Sequence, residues 1–373
     1  MAPPRDAVGL DIGTTAVRAA HVGLGKGPPT LLGFGQVSLP RGTVRDGEIA
    51  DPATVAAAIR QLWKRARLKR RSVALGIANQ KVVVRPVELP FMDERELRGA
   101  IQFQVQEFIP IPVEEAVLDF QILEQLEGED HARMMRVLLV AAQKEMVNRF
   151  VETAVEAGLD PEAVDLIPFA LIRSLSDPAG FPFGPGRSPS EPASVLPEPG
   201  HAGEAIVDVG AGVTNIVIHE RGIPRFVRIL LVGGSAISEN LAAGLGIPFE
   251  DAERLKQETG LPSDEDGSRG QDPAAGIIES RATDLVEEIR GSLDFYLAQA
   301  GATPIARVVL SGGGSRLGNL GARLSAALRL PVEQGHLLHR VRPGGTRLSE
   351  DQLAEAEPFM AAAAGLAMGA ADE

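Results

Sequence analysis

The sequence predicts an α/β fold made of two similar halves, because one pattern of residues occurs twice. Residues 7–20 read AVGLDIGTTAVRAA, and residues 205–218 read AIVDVGAGVTNIVI. Each copy is an apolar run that ends in Asp-x-Gly, a few small or hydroxyl residues, and a second apolar run. A third segment, VVLSGGGSRL at 308–317, follows an apolar run with three glycines. The chain has 373 residues, too many for one ordinary core, so two domains are expected.

The composition excludes several classes of protein. The formal charge is −13 and the acidic residues are spread along the chain, which argues against nucleic acid as a partner. There is no cysteine, which excludes disulfides and thiolate metal sites. No secretory segment precedes the first predicted strand, and no run of about 18 uncharged apolar residues is long enough to span a membrane. We therefore expect a soluble intracellular protein.

The first 78 residues predict four strands and one helix. Apolar runs between turn residues predict strands at 8–12, 16–22, 30–37 and 72–78, the first three as an antiparallel meander. Asp51 and Pro52 are typical of a helix start, and this helix is expected to reach about Leu68 with Trp63 in the core. Six of the eight residues at 64–71 are Lys or Arg, which we interpret as a solvated helix end, with contact to anionic lipid as a secondary role.

Residues 79–160 predict a compact α/β unit of about 80 residues, the size of a subdomain inserted into a larger fold. The strand-like run VVVRPVEL precedes a helix that begins after Asp93 and ends at the PIP sequence of 110–112. Two further strand-like runs flank a polar turn, and a second helix ends at Gly158. The first helix has apolar residues at helical spacing, namely Leu97, Ile101, Val105 and Phe108.

The second half repeats the strand pattern and adds longer helices. Two stretches rich in Pro, Gly, Ser or charge, 177–204 and 261–276, predict flexible loops. Helices are expected at 250–258 and at 277–300. A strand then leads into the three glycines, and an alanine-rich helix follows near the C-terminus.

The repeated motif suits a phosphorylated ligand. Glycines in a tight hairpin leave backbone N–H groups unshielded, and such groups cradle phosphate oxygens. Asp11 and Asp208 would be repelled by phosphate unless a cation lay between, so we expect them to face Mg²⁺ through metal-bound water. One Asp-x-Gly hairpin is usually only a turn, but two copies in equivalent positions indicate two halves that close on one nucleotide. Glycines 312–314 would then allow close approach to its base or ribose.

The order of these motifs resembles the superfamily of actin, hexokinase and the heat-shock chaperone ATPases. Longer strings narrow the resemblance to the PilM proteins, actin-like components of type IV pilus assembly: they include LPFMDERELRGAIQFQVQEFIPIPVEEAVLDFQIL at 89–123 and IVDVGAGVTNIVIHERGIPRFVRILLVGGSAIS at 206–238. The resemblance covers nearly the whole chain outside the two loops. It implies a duplicated actin-like (ribonuclease H-like) fold, with two lobes around a nucleotide cleft and an inserted α/β subdomain of the type found in FtsA.

The resemblance also implies boundaries and a site. The first lobe would be 1–78 with 161–204, the insertion 79–160, the second lobe 205–235 with 305–373, and a helical subdomain 236–304. ATP and Mg²⁺ would be bound by Asp11, Gly13, Thr14, Thr15, Arg18, Asp208, Gly210, Gly212, Thr214, Asn215, Gly233, Gly234, Glu253, Lys256, Gly312, Gly313, Gly314 and Ser315, with Asp11 and Asp208 on the metal side. Arg18 stands where relatives usually carry Lys, and its bulkier fork would change the γ-phosphate geometry. From spacing alone, Glu253 and Lys256 would be a surface ion pair.

Hydrolysis is expected to be slow or absent. Relatives often carry an acidic residue before the helix that links the two halves, and the corresponding residue here is Ile167. An isoleucine side chain neither accepts a proton nor orients water. Asp165 is the nearest acid. The nucleotide would then act as a conformational ligand that holds the halves closed.

The resemblance further implies a partner, the N-terminal cytoplasmic peptide of a PilN-like inner-membrane protein, docked on the insertion. Other pilus platform proteins and further copies of the chain are additional candidate partners, and membrane contact would be indirect. The protein would be cytoplasmic and peripheral to the inner face of the membrane. Apolar candidates for this docking surface are Phe91, Phe103 and Ile109, although each one singly is better explained by core packing.

Four alternatives remain open. A division actin of the FtsA type shares the insertion but usually ends in a basic amphipathic helix, whereas this sequence ends AEPFMAAAAGLAMGAADE. A sugar or carboxylate kinase would need a positioned aspartate base, and we find no candidate for it. A chaperone ATPase would need a substrate-binding domain after the ATPase. A scaffold without nucleotide is disfavoured by the intact loops at 11–15, 208–214 and 312–315.

Overall fold

A computed structural model describes residues 5–25, 27–127, 133–176, 202–262, 272–299 and 301–370 of the chain. They form three β-sheets of six, five and three strands and a small hairpin of β4 (Val44–Arg45) with β5 (Glu48–Ile49). The predicted loops at 177–204 and 261–276 fall mostly on 177–201 and 263–271, which lie outside the described residues.

The first sheet contains the predicted meander at its centre. In spatial order its strands are β10 (Asp160–Leu166), β6 (Ser72–Ile77), β1 (Arg5–Ile12), β2 (Ala16–Leu24), β3 (Thr30–Ser38) and β16 (Arg342–Pro343). The pairs β1–β2 and β2–β3 are antiparallel, and β6 and β10 continue from β1 in parallel. The sequence of β10, DPEAVDL, alternates exposed and half-buried residues, so no apolar run marks it as a strand.

The second sheet repeats the first. In spatial order its strands are β13 (Ile223–Leu230), β12 (Thr214–Glu220), β11 (Gly203–Val209), β14 (Ile305–Ser311) and β15 (Val332–Gln334). Two antiparallel strands lie on one side of β11 and two parallel strands on the other, as they do around β1. The repeated motif in the sequence therefore corresponds to a duplicated sheet.

The third sheet belongs to the insertion and is antiparallel. Its strands, in spatial order, are β7 (Val82–Pro90), β9 (Arg133–Gln143) and β8 (Ala116–Glu127). The helix α2 (Glu94–Gln104) covers it and begins with a capping box between Asp93 and Glu96. The helix predicted to continue to the PIP sequence of 110–112 ends at Gln104, yet Val105 and Phe108 still pack in the core of the insertion.

Two helices cover one face of the first sheet. These are α1 (Pro52–Ala66) and α3 (Lys144–Glu156), which contact each other. The Asp51 carboxylate accepts a hydrogen bond from the Thr54 N–H at 3.1 Å, and the helix ends where Arg67 adopts a left-handed φ of 54°. The predicted insertion 79–160 includes α3, whereas the buried residues of α3 belong to the core of the first sheet. The part of the insertion with its own core is 82–143.

The second sheet is covered by four helices: α5 (Gly234–Leu245), α6 (Phe249–Thr259), α7 (Pro273–Leu297) and α8 (Leu320–Leu328). The helix predicted from residue 277 begins at Pro273. The Asp272 carboxylate accepts a hydrogen bond from the Ala274 N–H at 2.9 Å, and proline is favoured in the first turn because its missing N–H has no helical partner there.

Two of the remaining helices, α4 (Ile167–Leu175) and α10 (Ala361–Ala370), lie between the sheets. The short α9 (Glu350–Ala356) contributes Leu353 to a core on the first sheet. One core contains residues of both sheets together with α4 and α10. The sequence placed 305–373 in the second lobe, but α10 packs on β1, β2 and β6, and β16 pairs with β3. The physical reason is that AAAAGLAMGA is apolar on all sides, so this helix is buried between two layers.

Candidate functional site

The two copies of the motif form two hairpins with the same register. In the hairpin of β1 and β2, Asp11 lies opposite Arg18. In the hairpin of β11 and β12, Asp208 lies opposite Asn215. The two aspartates are therefore equivalent positions of the duplicated fold, and they differ in the residue across the strand.

The turns of the two hairpins approach each other closely. A Cβ atom placed on Gly212 would lie only 2.8 Å from Oγ1 of Thr14. The Thr214 hydroxyl donates to the Val232 carbonyl oxygen at 2.7 Å, so this side chain ties the hairpin to the segment between β13 and the helix that follows it. The segments 11–15 and 208–214 are adjacent, which is the arrangement that a ligand shared by both hairpins requires.

The two aspartates differ in electrostatics. Burial raises the pKa of Asp11, and the Arg18 guanidinium opposes this, with its Nη1 donating to Asp11 Oδ2 at 3.2 Å. Burial and the charge of Asp11 raise the pKa of Asp208 to about 6, although Asn215 and Ser311 donate hydrogen bonds to it. An amide across the strand stabilises a carboxylate less than a cation does. The pair is a place where an added cation would relieve repulsion.

The start of α5 is tied to the second hairpin. The Gly234 N–H donates to the Gly210 carbonyl oxygen at 2.9 Å, and the Ser235 N–H donates to that of Ala211 at 2.8 Å. A Cβ atom on Gly233 would overlap these carbonyls. Glycine at 233 therefore permits the helix to begin directly against the turn.

Glu253 and Lys256 form a partly buried pair rather than a surface one. The Lys256 amine donates to the Gly234 carbonyl oxygen at 3.0 Å and to Glu253 Oε2 at 2.8 Å. Burial disfavours the Glu253 carboxylate, but hydrogen bonds from Lys256, Ser238 and Gln257 outweigh it and lower its pKa. The pair connects α6 to the start of α5.

The three glycines form a tight turn after β14. Gly312 has a φ of 84°, which favours glycine, and a 3₁₀ turn follows at Gly313–Arg316. The Ser315 hydroxyl donates to the Gly312 carbonyl oxygen at 2.7 Å and accepts from Gln334 at 2.8 Å. Ser315 therefore stabilises the turn.

These elements enclose a cavity of about 460 Å³ between the two sheets, within the size range of small-ligand sites. The predicted residues that line it are Asp11, Gly13, Thr14, Thr15, Arg18, Asp208, Gly210, Asn215, Gly234, Glu253, Lys256, Gly312, Gly313 and Gly314. The other four, Gly212, Thr214, Gly233 and Ser315, do not line the cavity and instead shape the turns around it.

Other residues that line the cavity were not predicted from the sequence, and among them are Phe249, Arg316 and Phe359. Phe249 precedes Glu253 by four positions on α6, so helical spacing could have identified it. Phe359 lies in a 3₁₀ turn before α10, and no motif marks it. The guanidinium carbons of Arg18 and Arg316 lie 5.4 and 5.7 Å from its ring centroid, within the range of cation–π attraction.

Ile167 lies at the start of α4, where it is buried and lines the cavity. Asp165 does not line the cavity. Its carboxylate accepts a hydrogen bond from Arg173 at 2.5 Å and another from the Leu166 N–H at 2.7 Å. The nearest acid in the sequence is therefore engaged in an ion pair away from the cavity.

The residues present fit a phosphorylated ligand with a cation. In the described part of the chain, no group of three or more His, Asp or Glu side chains is placed to hold a metal by itself. Two carboxylates, Asp11 and Asp208, would hold Mg²⁺ together with phosphate oxygens and water, as this ion prefers. Two buried polar atoms of lining residues, Arg18 Nε and Asn215 Oδ1, have no hydrogen-bond partner among the described residues. Both are available to a ligand.

The duplicated sheets and the cleft between them define an actin-like protein. A sequence profile of the family described as "Type IV pilus assembly protein PilM" matches residues 9–371. This chain therefore belongs to the PilM family. Both the predicted fold class and the predicted family are confirmed.

Relatives of known sequence and structure agree with this. The cell division protein FtsA of Bacillus subtilis (strain 168) is 23% identical over 77% of this chain and 69% of its own length. FtsA of Escherichia coli (strain K12) is 26% identical over 88% of this chain and 83% of its own. A solved structure named "PilM-PilN type IV pilus biogenesis complex" is 28% identical over 100% of both chains, with a TM-score of 0.79.

The apolar candidates in the insertion have different environments. The Phe103 side chain on α2 is 77% exposed, whereas Ile109 is buried in the core of the insertion. The guanidinium carbon of Arg133 lies 3.9 Å from the centroid of the Phe91 ring. Of the three, Phe103 is the one available to a partner. Within the described ranges, no helix combines the length and apolar character needed to cross a membrane.

Proposed function

We propose that this PilM-family protein binds ATP and Mg²⁺ between its lobes and uses the nucleotide to set its conformation during pilus assembly. The observation that carries the proposal is the pair of equivalent glycine hairpins, each with a partly buried aspartate, that meet over one cavity. A fold that duplicates a phosphate-binding hairpin is suited to gripping one polyphosphate from two sides.

The lining residues divide into a phosphate side and a nucleoside side. Backbone N–H groups of the two turns, with Thr14 and Thr15, would hold the phosphates, and Mg²⁺ would supply the charge that neutralises them beside the two aspartates. Arg18 would exchange part of its contact with Asp11 for a phosphate oxygen. Glu253, Lys256 and glycines 312–314 would contact the ribose and base.

We expect turnover to be slow. Ile167 occupies the cavity wall where an acid would position water, and Asp165 is held by Arg173. A bound nucleotide that is not hydrolysed quickly stabilises whichever lobe arrangement binds it better. The proposed role is therefore that of a nucleotide-dependent scaffold.

The proposed partner is the N-terminal cytoplasmic peptide of a PilN-like protein, docked on the insertion. Support comes from the related PilM-PilN complex and from exposed apolar side chains on α2 and β8, Phe103 and Val117. Such a partner would hold the protein at the inner face of the cytoplasmic membrane. A division role is the second candidate, because FtsA proteins are relatives over most of the chain.

The test is a calorimetric titration of the protein with the N-terminal peptide of the PilN-like protein from the same organism, with and without Mg-ATP. Micromolar binding that changes with nucleotide supports the pilus scaffold. Phe103→Ser should weaken binding, whereas Phe295→Ser, an equally drastic change at another exposed phenylalanine on α7, should not. No binding in either condition would reject the pilus partner and favour the division role.

A further inference from the structure

One residue of the first lobe reaches across to the second. Arg41 lies in the loop between β3 and β4. Its Nη2 donates to Glu239 Oε1 on α5 at 3.0 Å, and its guanidinium carbon lies 4.0 Å from the ring centroid of Phe249, the first residue of α6. The same side chain thus makes an ion pair and a cation–π contact with two helices of the other lobe.

This contact lies at the edge of the cavity. Phe249 lines the cavity on the second-lobe side, and Val44, three residues after Arg41, lines it on the first-lobe side. The loop that carries Arg41 is joined to the first hairpin, because the Leu39 N–H donates to the Thr15 carbonyl oxygen at 2.8 Å. The Arg41 and Glu239 side chains are 56% and 55% exposed, so the contact is on the solvent side of the cavity.

We propose that Arg41 is a positioning residue that ties the lobes together over the cavity, sets Phe249 against the ligand and slows nucleotide release. This inference rests on the proposed nucleotide binding. Arg41 lies outside both glycine hairpins, in a loop without a recognisable sequence motif, and would join the residues that act on the nucleotide.

The rest of the fold allows this contact to open by itself. At the base of the cleft the lobes are joined through buried residues of α4 and α10. Loss of the Arg41 contact would therefore widen the solvent-facing edge without separating the lobes. An exposed ion pair and one cation–π contact are each weak. Loss of both contacts should change the rate of nucleotide release by about threefold to tenfold.

The first experiment measures release of a fluorescent ATP analogue after rapid mixing with excess ATP. Arg41→Ala should release it about threefold to tenfold faster, and Arg41→Lys should fall between, since it keeps the charge but loses the flat stacking surface. The matched control is Arg98→Ala on α2, which removes a 3.0 Å ion pair with Glu94 and a 5.4 Å contact with the Phe120 ring far from this loop. Its release rate should equal that of the unchanged protein.

The second experiment uses the absence of cysteine in the sequence. The double variant Arg41→Cys, Glu239→Cys is joined with a short bis-methanethiosulfonate cross-linker, which forms a reducible disulfide with each cysteine and releases methanesulfinate. The cross-link should slow release beyond the rate of the unchanged protein, and reductant should raise it to the rate of Arg41→Ala. If Arg41→Ala and the unchanged protein release the analogue at the same rate, or if the cross-link has no effect, the proposed role of Arg41 is wrong. Nucleotide binding by the protein would still stand. No saturable nucleotide binding by the unchanged protein would overturn the proposed function and this inference with it.

Discussion

Asp11 and Asp208 occupy the same position in two copies of one hairpin, yet only Asp11 faces a cation across the strand. The duplication has therefore placed two carboxylates in one cleft, and Asp208 has hydrogen bonds from Asn215 and Ser311 where Asp11 has a cation. Burial and the neighbouring charge leave Asp208 with a pKa of about 6. Negative charge that is not fully neutralised lowers the stability of the folded protein and raises its affinity for a cationic ligand.

The first prediction concerns replacement of this charge. Asp208→Asn should raise the unfolding free energy of the ligand-free protein at pH 7.5 by about 2–3 kcal/mol. The variant no longer places a second negative charge beside the carboxylate of Asp11. The same change should lower the affinity for Mg-ATP at least tenfold. Chemical denaturation and nucleotide titration test the two halves of the prediction, and a variant that loses both stability and affinity would contradict it.

The second prediction gives the pH range of this effect. The pKa of Asp208 is raised on folding from 3.8 to about 6, so its contribution to stability is present below pH 4 and is lost as the pH rises through 6. The stability difference between Asp208→Asn and the unchanged protein should be near zero at pH 4, grow between pH 4 and 6, and level off above. Taking the difference cancels the titrating groups that do not sense the charge of Asp208, and a flat difference would argue against the raised pKa.

At the scale of elements, two helical glycines have opposite surroundings. A Cβ atom on Gly365 of α10 would overlap the backbone of Ala170 on α4, so these helices pack in direct contact. A Cβ atom on Gly291 of α7 would meet nothing within 4 Å. The same substitution should therefore act in opposite directions.

The third prediction is that Gly365→Ala destabilises the protein by about 1–3 kcal/mol, since the helices must separate. Gly291→Ala should stabilise it by about 0.5–1 kcal/mol, because alanine lowers the entropy of the unfolded chain and suits a helix. Thermal unfolding of both variants checks the pair. Equal shifts of the same sign would mean that α4 and α10 are not packed as described.

Elements with a strong local signal could be predicted, and those defined by distant partners could not. The hairpins that begin with β1 and β11 can be predicted because each has two apolar runs separated by a short glycine-containing turn. The polar strand β10 exists because β6 lies beside it, and nothing in AAAAGLAMGA indicates that α10 returns to the first sheet. The candidate site also has a predictable part and an unpredictable part. Its glycines belong to short sequence motifs, whereas Phe359 reaches the cavity only through tertiary packing.

At the scale of the whole molecule, the insertion rests on both lobes. Leu123 and Leu138 of the insertion share a small core with Ile223 of the second lobe, and Phe169 of α4 packs against it. Two residues before Phe169, Ile167 lines the cavity. The first turn of α4 therefore touches the nucleotide cleft and the base of the insertion at once.

The fourth prediction follows from this connection. Phe169→Ala should reduce the change in partner affinity that Mg-ATP produces, while changing nucleotide affinity less than threefold. Phe226→Ala, a similar truncation on β13 against α7, should leave the nucleotide effect intact. Paired titrations of the peptide with and without Mg-ATP decide the matter, and an unchanged nucleotide effect in Phe169→Ala would show that α4 does not transmit it.

The return of α10 and β16 to the first sheet has a consequence for synthesis on the ribosome. The first sheet is translated early, but among the described residues the core on one face of β1, β2 and β3 is completed only by residues that follow the entire second sheet. For on the order of ten seconds, at usual rates of translation, Ala20, Val22 and Leu31 would have no helix over them. The nascent chain therefore has a period in which a holding chaperone, or a wrong partner, has access to a surface that the finished protein never exposes.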